Sequence, residues 1–173
     1  MRPSQLLFAL LPLALFGCTK GGADSDEPPG LSDDSEVECS GTDPVLANLT
    51  VEDGGARDFE GVDYPTVLVT AEATDDDGNL DLVGITLYWD DTVDGSIDPS
   101  TADSASTTVT PDGGGPCEAT GSTLGLYLQV GEGVAYSTEY DWGMQIEDSQ
   151  GEISNLIVGS GTTPGPLDVD TGG

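Results

Sequence analysis

A chain of 173 residues is long enough for one domain once an export segment and polar ends are set aside. Its 33 acidic residues against 3 basic ones give a formal net charge of −30, a surface that repels nucleic-acid phosphates and attracts cations and basic partners within a Debye length of about 8 Å. There is no histidine, so a serine nucleophile lacks its usual base and zinc its usual ligands, leaving carboxylate-only chemistry of the glycosidase kind as the one catalytic option open.

Arg2 supplies a short positive start, and residues 6–16 are apolar apart from Pro12. As a helix that run would reach only about 16 Å, well short of the roughly 30 Å hydrocarbon core. It reads as the signal peptide of an exported protein, residues 1–17. The run ends in Leu15, Phe16, Gly17 and Cys18, which resembles the lipobox of bacterial lipoproteins. That resemblance implies that Cys18 carries the lipid that anchors the mature chain in a membrane. Because Thr19 rather than an aspartate follows the cysteine, it further implies the outer membrane, with the protein facing the periplasm or the cell surface. An ordinary signal cleaved near Gly21, Gly22 and Ala23 is the alternative.

Residues 18–43 are rich in acids and glycine, with few bulky apolar groups. Such a segment cannot bury enough to order itself and is expected to be a disordered acidic linker. Residues 44–161 form the expected domain and residues 162–173 a second polar tail. Within the domain the dominant period is two. Val67, Val69, Ala71 and Ala73 share one strand face, as do Val83, Ile85, Leu87 and Trp89, then Leu124, Leu126, Leu128 and Val130, then Tyr140, Trp142, Met144 and Ile146. Weaker alternation marks strands over 45–51, 105–110 and 153–158. Seven strands with Gly- and Asp-rich turns predict an all-β, two-sheet antiparallel sandwich.

The stretches VTAEATDDDGNL, TLYWDD and YDWGMQIEDSQGEIS resemble bacterial immunoglobulin-like modules of the PKD, cadherin-like and fibronectin type III kind. The resemblance implies an immunoglobulin-like β-sandwich with a binding or spacer role outside the cytoplasm. Trp89 would be the core tryptophan of the third strand, and Tyr140 would stand at a tyrosine corner. With Cys18 lipidated, Cys39 and Cys117 remain as a pair in an oxidising compartment. In such a sandwich they fall at one pole, and a disulfide between them is expected; two free thiols are the alternative.

The segment TDDDGNLD places Asp75, Asp77, Asn79 and Asp81 at alternating positions around Gly78, the kind of oxygen array a calcium ion needs. One turn cannot complete six to eight ligands, so Asp148 and Glu152 of a later loop at the same pole are expected to contribute. The alternative is that Asp-Gly and Gly-Asn simply form turns. At the opposite pole, segment 52–65 is expected to be a glycine-rich loop presenting Phe59 and Tyr64 as apolar anchors for a partner, or as caps over the open end of the core. The leading expectation is a monomeric, non-catalytic, lipid-anchored envelope protein whose acidic module binds an envelope protein or glycan in adhesion, with calcium as the one cofactor considered. A passive spacer or accessory subunit, and a carboxylate-only hydrolase, are the alternatives.

Overall fold

The structure, a computed structural model, describes residues 39, 41–111, 115–131 and 133–167. The signal segment, Cys18 and most of the expected linker lie outside the described residues.

Among the described residues the chain forms seven strands in the order β1 (Val45–Phe59), β2 (Val62–Thr74), β3 (Val83–Asp90), β4 (Asp103–Val109), β5 (Gly121–Gln129), β6 (Glu139–Glu147) and β7 (Ile157–Thr162). They make two antiparallel sheets, β1-β2-β5 and β4-β3-β6-β7. This is the all-β sandwich expected from the period of two. The alternating residues of β2 face those of the neighbouring strands β3 and β6 across the core, where Val67, Val69, Val83, Trp142 and Met144 have no exposed surface. Each buried aliphatic side chain of this kind contributes about 1.5–3 kcal/mol.

Trp142 sits at the centre of that core, 6.4 Å from the ring of Trp89 and 5.7 Å from that of Tyr140. Its indole N–H donates to the Gly161 carbonyl at 3.1 Å, which fixes β7 against β6. Tyr140 lies at the start of β6, and its hydroxyl oxygen accepts the Ala135 N–H at 3.0 Å. It therefore ties the β5–β6 connection to the core, the geometry of a tyrosine corner.

Three boundaries differ from those expected. Segment 52–65 is not a loop: β1 continues to Phe59 and pairs with β2 as far as Phe59↔Val62, with register shifts between Asp53 and Gly55 and between Ala47 and Thr50. The seventh strand runs over Ile157–Thr162 rather than 153–158, and Ile153 makes only an isolated bridge to Glu147. The expected tail does not begin at 162, because Thr163 is buried and donates its N–H to Thr138, while Pro164 accepts from Ser137.

The long connection from β3 to β4 folds back as a strap. Asp141 on β6 is completely buried, and its Oδ2 accepts the N–H groups of Asp94 at 2.8 Å and Gly95 at 2.6 Å. Ile97 then packs over Gly143, where a Cβ would meet its Cγ1 at 3.4 Å and Leu156 Cδ1 at 3.2 Å. A glycine at 143 is what leaves the sheet surface flat enough for the strap to lie on it.

Candidate calcium and partner sites

The first candidate site is the pole where β2 passes to β3. Cys39 and Cys117 form a disulfide there, with Cα atoms 5.5 Å apart and a sequence separation of 78. The β2–β3 turn is pressed against it. Gly78 has φ +77°, and a Cβ at that position would fall 2.5 Å from the carbonyl carbon of Cys117. Glycine is required twice over, once for the backbone angle and once for the space.

Asp75 organises the turn. It is almost fully buried, and its carboxylate accepts the Asp77 N–H at 2.9 Å and the Asn79 N–H at 3.0 Å, with the Thr42 hydroxyl 3.5 Å away. The Gly78 N–H donates to the Asp75 carbonyl at 3.3 Å. The β6–β7 loop repeats the device. Asp148 Oδ1 accepts the N–H groups of Gln150 and Glu152, each at 2.9 Å, and the Gly151 N–H donates to the Asp148 carbonyl at 3.2 Å. Both turns read Asp-x-x-Gly, and in both an aspartate carboxylate caps the backbone that follows it.

The two turns meet, since the Ser149 N–H donates to the Asn79 carbonyl at 3.2 Å. The β2–β3 and β6–β7 loops therefore meet at one pole. Glu152 lies beside Gly41, where a Cβ would approach its Oε1 at 3.1 Å. Asp148 is 6% exposed and its Oδ2 is buried with no hydrogen-bond donor, as is Oδ1 of the half-buried Asp81. Asn79 is wholly buried and Asp77 half-buried. Among the described residues, no three His, Cys, Asp or Glu side chains are grouped so as to hold a metal ion as they stand.

The second candidate site is the outer face of β1 and β2 near their tip. Cross-strand pairing sets Arg57 opposite Tyr64 and Phe59 opposite Val62, so all four side chains share a face. Phe59 and Tyr64 meet edge to face at 6.1 Å, and the Arg57 guanidinium carbon lies 3.2 Å above the ring centre of Tyr127 on β5. Phe59, Val62 and Tyr127 are exposed and Tyr64 is half-buried. These residues therefore do not cap the open end of the core. They form an apolar patch on a hairpin, with Asp58, Glu60 and Asp63 exposed around it. The sequence reading missed Tyr127, whose signal was its position between Leu126 and Leu128 on the outward side of an alternating strand.

Two shallow grooves lie elsewhere on the described surface. One, of about 440 Å³, runs over the outer face of β3, β4 and β6 and is lined by Gly84, Thr86, Ser106, Thr108, Gln145 and Glu147. The other, of about 250 Å³, lies at the start of the strap beside Asp90, Asp91, Asp103 and Tyr140. With this geometry in place, comparison with known proteins finds no family, no curated protein and no solved structure that matches the chain.

Proposed function

We propose that the protein is a non-catalytic, lipid-anchored envelope protein, held in the outer membrane through Cys18, whose acidic immunoglobulin-like sandwich presents a binding face to an envelope protein or glycan. The observation that carries this reading is the patch of Phe59, Val62 and Tyr64 on one face of the β1–β2 hairpin, with Tyr127 of β5 stacked under Arg57 beside it. Clustered exposed aromatics on a single domain mark contact surfaces, and here they stand on paired strands rather than on a mobile loop. The Cys39–Cys117 bridge supports export, since such bonds persist in oxidising compartments. Gentle crosslinking in cells is expected to trap a partner with the native chain and to lose it with Phe59→Ala/Tyr64→Ala. An undiminished adduct from the double variant would move the contact elsewhere. Intact mass of the mature protein tests the anchor: a diacylglyceryl-modified Cys18 at the N-terminus is expected, and a chain starting near Ala23 would refute it.

A second reading concerns calcium, and it rests on the buried, donor-less oxygens Asp81 Oδ1 and Asp148 Oδ2. Buried carboxylate oxygens without donors are costly, and a calcium ion drawn in between the two Asp-x-x-Gly turns would satisfy them together with Asp77 and Asn79. Asp75 is already committed to backbone N–H groups. Millimolar calcium is then expected to raise the melting temperature of the native chain and to leave Asp81→Asn unmoved. An unshifted transition in the native chain leaves the two turns as turns alone.

A further inference from the structure

The two seams of the sandwich are built differently. Along one, β1 and β7 close on each other: a Cβ at Gly159 would meet Leu49 Cδ2 at 3.1 Å, and one at Gly161 would meet Val51 Cγ1 at 2.5 Å. Glycines on β7 thus let the apolar residues of β1 seat against it. Along the other seam, β5 and β4 are the outermost strands of their sheets. Leu126 and Leu128 of β5, although on its inward side, are only half-buried, as are Ala105 and Val109 of β4.

β5 has the sequence GSTLGLYLQ, without a charge or a proline, in a chain of net charge −30. Its register with β2 runs without a bulge from Thr66↔Gln129 to Thr74↔Gly121. The devices that keep exposed edges apart, namely charges, prolines and bulges, are missing from it. β4, the other open edge, begins at Asp103 beside Asp90 and Asp91 and presents mainly serines and threonines.

The direction of the free backbone groups follows from one bond. The Val130 N–H donates to the Pro65 carbonyl at 2.9 Å. Alternation along the strand then turns the backbone of Leu124, Leu126 and Leu128 toward β2, and that of Thr123, Gly125, Tyr127 and Gln129 outward.

We propose that β5 pairs antiparallel with β5 of a second copy of this chain, about a two-fold axis at Gly125, joining the two three-stranded sheets into one. In that register Thr123 faces Tyr127 of the other copy, and about six backbone bonds form. Leu126 lies beside Leu124 of its twin, covering apolar surface that the open seam leaves half-exposed. Gly125 at the axis keeps the centre free of side chains. β5 is also where two such acidic bodies meet without setting carboxylate against carboxylate. The remaining charge opposes the encounter at a distance, so pairing depends on screening: the Debye length falls from about 10 Å at 0.1 M salt to about 3 Å at 1 M.

Sedimentation equilibrium of the full chain in detergent, from about 0.1 to 1 M NaCl, is expected to show monomer at the low end and at least about a tenfold gain in dimer association at the high end. Thr123→Pro, which removes one outward N–H, abolishes the gain, and Thr123→Val, which keeps it, does not. In the native chain, amide exchange at Gly125 and Tyr127 slows with protein concentration at 1 M NaCl. A monomer throughout overturns the proposal, as does a proline variant that dimerises as well as the native chain. Should that variant fail to fold, the exchange map decides: concentration-dependent protection confined to some other strand, or to the detergent-bound N-terminal region, refutes β5 pairing.

Discussion

Asp75 and Asp148 do the same work in two places, each a buried carboxylate that organises the turn around it. Each accepts the N–H groups two and four residues on, so the backbone is capped by a side chain and not by water. Gly78 is the least replaceable residue of the pair of turns. Gly78→Ala forces a side chain into a positive-φ backbone and against Cys117, and is expected to cost about 2–4 kcal/mol in urea unfolding. A loss below 1 kcal/mol would mean that the turn yields. On the strap, Asp98 accepts the hydroxyl and the N–H of Ser100, at 2.7 and 2.9 Å. The hydroxyl first and the N–H second hold its pKa below the ordinary 3.8. A depressed carboxylate stabilises the fold above its unfolded pKa, and that contribution is lost as pH falls through the lower folded value. NMR titration of Ser100→Ala should show Asp98 moving up toward 3.8; an unmoved midpoint would clear the hydroxyl of any part in the shift.

At the scale of elements, what the sequence revealed depends on how each strand is held. β2, β3 and β6 are held by one apolar face, so their alternation was legible residue by residue. The outer half of β1 is not: Glu52, Asp53, Gly54 and Gly55 lack an apolar face, and pairing with β2 is what makes them a strand. β7 was misplaced because its glycines serve the neighbours that pack on them, Leu49 and Val51, so the signal lay in β1. The convergence of the two acidic turns was legible from loop order. The strap was not, because Asp141 looks like any of the 33 acids until its burial is known. Asp141→Ala removes both strap bonds and is expected to destabilise by about 2–4 kcal/mol, with amide exchange rising first over residues 91–102. Exchange rising equally throughout the domain would show that the strap does not open separately.

For the whole molecule, the disulfide is the dominant long-range constraint. It joins positions separated by 78 in sequence, which on the chain-entropy model stabilises the fold by about 4–5 kcal/mol. Reduction should lower the unfolding free energy by that order in urea unfolding, with a steeper slope for the reduced chain because its freed unfolded state exposes more surface. A shift under 1 kcal/mol would mean that the unfolded chain is already compact around the two cysteines.

The bridge also decides where tension would go. Cys39 stands ahead of β1, whose first residue is Val45, and it is bonded to the segment just before β5. A pull applied to the chain ahead of Cys39 is therefore handed across the sulfurs to Cys117 and to the Gly78 turn packed on it. β1, the strand that an N-terminal pull would otherwise unzip from β2 one rung at a time, stays outside the load path. The domain would yield by shearing β5 along β2, where nine residues on each side must let go together.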